Sequence, residues 1–314
     1  MVRLFFITDV HASERCFRKF LNAAKVYGAN CLILGGDITG KVLVPIVERA
    51  DGAYDVRLFG KDTVVKKERL QQTRRELQDA GQYSFVTTAG EFREMQEDES
   101  RQERVFNEAI VSTLASWVQL AQDRLKGTGI RCFISPGNDD KFEVDPVLTD
   151  SAQVVNPENR VVELDGGYEM ITLGYANVTP WKSPREVSDD RLGDMIENLA
   201  AQVKKPLTAV YNLHVPPANT ELDKAPAVSE EFSYVREGLG VKMIHAGSPA
   251  VRRSIEVHQP LLGLHGHIHE SKGFVRLGRT LCLNPGSEYS DGILRGAVVN
   301  LEGDRVKEFL LTSG

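Results

Sequence analysis

With 314 residues, 41% of them hydrophobic and 26% charged, the chain carries enough apolar matter for one large α/β domain or two ordinary ones, and it is composed like a globular protein rather than a disordered or fibrous one. A formal net charge of −6 leaves no general basic footprint for nucleic acid or an anionic membrane surface, and no apolar run approaches the roughly 20 residues of a spanning helix. Neither nucleic acid nor a membrane is therefore an expected partner.

Leu4–Thr8 reads as a buried strand, too short for a signal-peptide core, so no targeting segment is expected there. A helix follows from an N-cap at Ser13 to Tyr27, with Phe17, Phe20, Leu21 and Ala24 on one stripe. Further buried strands are predicted at Cys31–Leu34, Arg131–Ser135, Met170–Leu173, Thr208–Leu213 and Leu261–Leu264. Their alternation with helical patterns predicts α/β layering. Residues 42–127 exceed any ordinary loop of about two to six residues. Here Tyr54–Phe59 and Thr63–Lys67 flank Gly60-Lys61-Asp62 like a hairpin, and charged helical patterns cover Glu68–Ala80 and Glu91–Lys126, the latter with Phe106, Ile110, Leu114, Trp117 and Ala121 at helical spacing. We expect an insertion, 42–127, within a single domain spanning 1–314. It is either a cap or homo-oligomer contact, or a layer packed outside the sheets. Ser248-Pro249 opens another helix, after which Gly273–Leu277, Thr280–Leu283, Gly296–Leu301 and Val306–Leu311 read as consecutive strands of a mixed, partly antiparallel sheet. Cys16, Cys31, Cys132 and Cys282 show no Cys-x-x-Cys spacing, and three lie in apolar runs, which predicts free buried thiols in a reducing cytoplasm.

Chemistry concentrates after the strands. Asp9-Val10-His11 and Gly266-His267-Ile268-His269 each place two metal-ligand types two residues apart, and extended backbone would aim each pair at one side. Between them lie Gly36-Asp37, Gly137-Asn138-Asp139 and His214 ahead of Val215-Pro216-Pro217. Ligands collect at the carboxyl ends of strands in open α/β sheets, so these loops are expected to converge. Taken singly, each Asp is an ordinary turn residue and His214 an ordinary core histidine.

The order Asp-x-His, Gly-Asp, Gly-Asn-x, His, Gly-His-x-His, spread over nearly the whole chain, resembles the signature of the calcineurin-like metallophosphoesterases, and within them most resembles the Icc-related phosphoesterases. The resemblance implies two packed mixed β-sheets flanked by helices. It also implies hydrolysis of a small phosphate ester by metal-bound hydroxide, a phosphodiester preferred and a phosphomonoester the alternative. Asp9, His11 and His269 would hold one divalent ion, Asn138, His214 and His267 the other, and Asp37 would bridge them. Oxygen and imidazole donors without thiolate suit Mn, Fe or Zn. Two such ions about 3.5 to 4 Å apart activate water and clamp the phosphoryl oxygens. Four of the seven histidines occupy these positions, which weighs against a wholly structural role. A non-catalytic metal-binding scaffold on the same fold is the rival from another class.

One position departs from the family pattern: Asp139 stands where a histidine commonly meets the substrate. A carboxyl near two cations is expected to be ionised, so Asp139 should orient other groups rather than protonate the leaving group. His245 and His265 are then the candidates for the acid, with His265 reading equally well as structural. His258 is expected at the surface. Arg252, on the Ser248-Pro249 helix, is a candidate for substrate phosphate, set against the simpler reading of that segment as a capped helix start. Asn284-Pro285-Gly286-Ser287 resembles a loop that follows the paired histidines in small phosphodiesterases of the family, and is also an ordinary turn.

Overall fold

The computed structural model describes residues 1–229, 231–238 and 240–314. Strands that are apolar on both faces must be covered on both, and the chain meets this with four layers, helix, sheet, sheet and helix. In Val2–Ile7 the side chains alternate: Leu4 and Phe6 join Ile33, Phe133, Val210, Leu262 and Leu283 between the sheets, whereas Phe5 and Ile7 join Phe17, Phe20 and Trp117 beneath helices. The first six-stranded sheet runs Arg305–Ser313, Arg295–Glu302, Val2–Ile7, Cys31–Gly35, Arg131–Ser135, Val154–Val155, with the last four parallel and the first two antiparallel additions. The second runs Gly273–Leu277, Thr280–Asn284, Leu262–Leu264, Val210–Leu213, Glu169–Leu173, Arg160–Glu163, parallel at its centre and antiparallel at both edges. Its outer face packs Ile171, Tyr211 and Leu213 against Leu192 and Ile196 of the helix Asp189–Ala200 and Val251 and Ile255 of the helix Pro249–His258. No helix among the described residues is long and apolar enough to cross a membrane.

The predicted elements recur with small shifts. The helix Glu14–Tyr27 is capped by Ser13, which accepts from the Cys16 N–H, and ends at Gly28 in the left-handed region. Thr208–Leu213 begins later than expected because Pro206–Thr208 forms a 3-10 turn, leaving Val210–Leu213 as strand. The hairpin turns at Phe59-Gly60, with φ of 47° and 83°, rather than at Gly60-Lys61-Asp62, because Leu58 pairs with Lys61 and a two-residue loop needs positive φ at both positions.

The expected insertion 42–127 divides into two parts. Its first part forms its own sheet: Val42–Glu48 pairs with Tyr54–Leu58 and, in parallel, with Gln82–Thr88, and Lys61–Val65 completes the four strands. Val44, Ile46, Tyr54, Val56, Val65 and Leu77 form its own small core. The helix Glu99–Leu125 does not belong to it. Ile110, Leu114, Trp117, Val118, Ala121 and Leu125 are buried in the core of the first sheet, and the Trp117 ring stacks on Phe17 with centroids 4.2 Å apart and planes at 3°. Trp117→Phe loses the indole donor to Glu14 and part of this stack, and is expected to cost about 1 to 2 kcal/mol in a denaturant melt. A helix merely lying on the outside would tolerate the change within about 0.5 kcal/mol.

Candidate metal centre

Asp9 and His11 follow Val2–Ile7, Asp37 follows Cys31–Gly35 and Asn138 follows Arg131–Ser135 in the first sheet, whereas His214 follows Val210–Leu213 and His267 and His269 follow Leu262–Leu264 in the second. All seven meet where the two sheets abut. His269 Nε2 is 3.2 Å from His11 Nε2 and 3.3 Å from Asp9 Oδ1, and His267 Nδ1 is 2.7 Å from Asn138 Oδ1. Asp37 stands between the groups: its Oδ2 is 3.6 Å from His11 Nε2 and its Oδ1 is 3.4 Å from His214 Nε2. Asp9, His11, Asp37 and His269 each offer a ligand atom within 4.8 Å of all the others.

The pairs do not converge by strand alternation, as expected from their spacing. The strands stop at Ile7 and Leu264, and Asp9, His11, Asp37 and His267 have φ of 53°, 38°, 51° and 68°, left-handed values unfavourable for side chains with a Cβ. The turn is held by N–H donation from Asp9 to Gly36 O, His11 to Asp37 O and Ala12 to Ile38 O, and the His267 N–H donates to both Asp9 carboxylate oxygens. Strained backbone that its surroundings fix in this way is typical of functional sites. Two glycines allow the close approach: a Cβ on Gly137 would lie 2.2 Å from Asp37 Oδ1, and one on Gly266 would lie 2.1 Å from Thr8 Oγ1.

The imidazoles are oriented from behind. His11 Nδ1 donates to Thr39 O at 3.1 Å and His214 Nδ1 to Gly35 O at 3.0 Å; since a carbonyl only accepts, each Nε2 is left with its lone pair towards the centre. His214 Nε2 is buried with no hydrogen-bond partner among the described residues. A buried orphan nitrogen aimed at two carboxylates is what a metal ligand requires. The electrostatics agree: burial and the Asp139 charge push the Asp37 carboxyl up, whereas at His214 burial is outweighed by Asp37 and Asp9, which push it up to about 10. The carboxylates thus call for positive charge, and a proton on His214 is a poor substitute for a cation.

Asp139 is tied to three neighbours. Its carboxylate pairs with Lys41 and accepts from Ser183 Oγ and, at 3.1 Å, from Asn138 Nδ2. Burial pushes this carboxyl up, but the Lys41 ammonium and the hydrogen bonds bring it down to about 2, so Asp139 is ionised at neutral pH. Sequence reasoning missed Lys41 and Ser183, and also missed two deeper residues. Asp140, fully buried, accepts from Ile38 N and Gly137 N on Oδ2, at 3.0 and 2.7 Å, and from Thr39 N, at 2.8 Å, and the Thr39 hydroxyl on Oδ1, joining the Asp37 loop to the Asn138 loop. Arg185, 2% exposed, donates to the carbonyls of Asp140 and Lys141 and to Asp145, and its own N–H donates to Asn138 O.

The other candidates separate. His245 lines the cavity at the centre, with Nδ1 2.7 Å from Oδ1 of the buried Asp223, which also accepts from the N–H groups of Asn219, Thr220 and Gly247. His265 does not reach the cavity: it is fully buried, its Nδ1 donates to Leu213 O, and burial lowers it to about 4, so it is a neutral core histidine. Arg252 is also elsewhere, bonded to the carbonyls of Ala218 and Asn219 and to Glu256, so it braces a loop and the capping reading of its helix stands. His258 contacts Glu197 at a helix end. In the Asn284-Pro285-Gly286-Ser287 loop, Asn284 Nδ2 donates to Gly266 O and Ile268 O, and Ser287 Oγ donates to Asp9 O, fastening the two ends of the chain at the centre. The cavity, about 740 Å³, is lined at one end by Asp37, Asn138, Asp139, His267 and His269.

No protein-family model matches the chain. TT1561 of Thermus thermophilus has a crystal structure that covers 100% of this chain and 98% of its own, at 14% identity, with a TM-score of 0.55. The chain shares that fold, two packed mixed β-sheets flanked by helices, which is the architecture the resemblance implies. A dimetal phosphatase from Danio rerio aligns over 96% of this chain and 92% of its own at 8% identity and a TM-score of 0.47, a likeness too low to carry function across. In sequence, 152 residues, 48% of the chain, are 26% identical to the uncharacterized protein MJ1162 of Methanocaldococcus jannaschii. That match spans 61% of the relative's length.

Proposed function

We propose that the protein hydrolyses a small phosphate ester, a phosphodiester in preference to a monoester, with two divalent ions of Mn, Fe or Zn. The observation that carries this reading is Asp37, whose two carboxylate oxygens face the Nε2 atoms of His11 and His214 on either side. Asp9, His11 and His269 would hold one ion and Asn138, His214 and His267 the other. When bound, such ions activate water and neutralise charge on the phosphoryl oxygens. A cavity of about 740 Å³ has room for both ester groups of a diester. Four buried, unpaired thiols support a reducing compartment, the cytoplasm. The test is metal analysis after reconstitution, together with turnover of bis(p-nitrophenyl) phosphate against p-nitrophenyl phosphate. Fewer than two ions per folded chain, or faster turnover of the monoester, would refute the corresponding part.

His245 is our proposal for the group that protonates the leaving oxygen. Asp223 fixes its Nδ1–H, which leaves Nε2 for the cavity, and Asp139 is ionised and His265 lies outside. His245→Asn is expected to slow esters with poor leaving groups by about 10²-fold while barely affecting p-nitrophenyl esters. Equal slowing across a leaving-group series would rule His245 out as the acid.

A further inference from the structure

We propose that the ester accepted by this site carries a flat aromatic ring, and that Trp181 is the residue that selects it. This rests on the phosphoesterase reading and names the substrate class for the same cavity. Small-molecule sites typically enclose about 300 to 1,000 Å³, so a cavity of about 740 Å³ is far larger than a phosphoryl group requires. Beyond the polar end much of its apolar lining comes from two segments, Val178, Pro180 and Trp181 on one, Pro226, Tyr234 and Ile244 on the other. The two rings among them are open to solvent, Trp181 58% and Tyr234 63% exposed. Rings displayed beside a reaction centre are platforms for another ring.

The Trp181 loop is built rather than loose. The Thr179 N–H donates to Glu186 at 2.9 Å, the Thr179 hydroxyl donates to the same carboxylate, and the Trp181 N–H donates to Thr179 Oγ1 at 3.2 Å. Two residues on, Ser183 holds Asp139, and then the Arg185 N–H holds Asn138 O. The aromatic platform is therefore fastened to the loop that carries Asn138, which fixes its place relative to the centre. The facing segment is set by antiparallel pairing of Lys224 with His245, Ala225 with Ile244 and Pro226 with Met243. Lys182, beside Trp181, also lines the cavity and suits an anionic ester, whereas Lys41 and Lys141 line it while paired with Asp139 and Glu103.

The chain has two tryptophans, and Trp117 is 2% exposed, so ligand-dependent fluorescence reports Trp181. Zn-reconstituted protein is titrated with phenyl phosphate, adenosine monophosphate, n-octyl phosphate and inorganic phosphate. Phenyl phosphate, adenosine monophosphate or both should quench and bind at least roughly ten-fold more tightly than the octyl and inorganic phosphates, the gain expected of one stacked ring. Which of the two binds better tells an aryl group from a nucleobase. Trp181→Ala should abolish the preference and Trp181→Phe should restore part of it. Equal binding of octyl phosphate, or no advantage over inorganic phosphate, would overturn the proposal. Kinetics supply the second arm, since phenyl and methyl p-nitrophenyl phosphate share a leaving group. Their kcat/KM ratio should favour the phenyl ester about ten-fold or more and fall towards one in Trp181→Ala. A ratio near one in the wild type would overturn the ring proposal and leave the phosphoesterase reading standing. Trp181-dependent binding with neither ester turned over would do the reverse.

Discussion

Asp37→Asn is expected to lower phosphate-ester hydrolysis by about 10³-fold or more and to reduce bound divalent metal below two ions per chain. Activation of water and charge neutralisation together account for several kcal/mol of the barrier, and each 1.4 kcal/mol is about ten-fold in rate. Asparagine keeps the shape and can still accept from the Asp139 N–H, which lies 3.0 Å from Asp37 Oδ1, so the fold should survive. Removing a buried carboxylate whose ionisation is already opposed by burial gives no reason for a lower melting temperature in the metal-free protein. The paired measurements are elemental analysis and steady-state kinetics on protein shown by thermal melt to be folded. Two ions and undiminished turnover in the variant would show that Asp37 is not the bridge.

Asp140→Ala should be the most damaging change to stability near the site, at about 4 kcal/mol, because it leaves the N–H groups of Ile38, Thr39 and Gly137 buried without acceptors, at about 1 to 3 kcal/mol each. Metal affinity should fall by about 10- to 100-fold, as when other outer supports of ligands are lost. Asp140→Asn is expected to fare little better. Both oxygens are acceptors, so the amide nitrogen would have to face either the two N–H groups on Oδ2 or the N–H and hydroxyl of Thr39 on Oδ1. Burial and the Asp37 charge push the Asp140 carboxyl up to about 6 against those hydrogen bonds. A carboxyl raised in the folded state loses stability as pH rises from its unfolded value near 3.8 to about 6, so the aspartate's advantage over asparagine should narrow across that interval. Denaturant melts of the three proteins at pH 5 and pH 7.5 check this. An asparagine variant as stable as wild type at both would show that the carboxylate is not the support described.

What can be read from the sequence is what is local in the chain. Leu4, Phe6 and Ile33 announce buried strands because both faces are covered, and Asp9, Asp37, Asn138 and His214 announce themselves by following such strands. The helix Asp189–Ala200 is equally open to view, with Ser188 as cap and Leu192, Ile196 and Leu199 on one face, yet it is absent from the expected elements. Asp140 is not legible, because its acceptors serve backbone N–H groups about a hundred residues away and a backbone donor leaves no mark on residue type. Lys41, Ser183 and Arg185 depend on loops that meet only after both sheets are assembled. The left-handed turns at Asp9 and His267 arise from long-range hydrogen bonds, so spacing alone makes both pairs look extended. Trp117 displays an apolar stripe, but a stripe does not say which surface covers it, and the helix falls with the first sheet instead of the insertion. At His265 and Arg252 the ordinary explanation is the right one, since a lone histidine or arginine has more structural uses than catalytic ones.

The proposed ligands are divided between the sheets: Asp9, His11, Asp37 and Asn138 stand on one, His214, His267 and His269 on the other. Cations held there would therefore act as a clasp, each bonded to both sheets. Prising the halves apart would mean surrendering the ions, and a hundred-fold excess of metal over its Kd is worth roughly 2.7 kcal/mol to the closed form. Resistance to heat would then serve as a gauge of divalent supply, and a chelator would loosen the whole molecule by opening it along the line where the sheets meet.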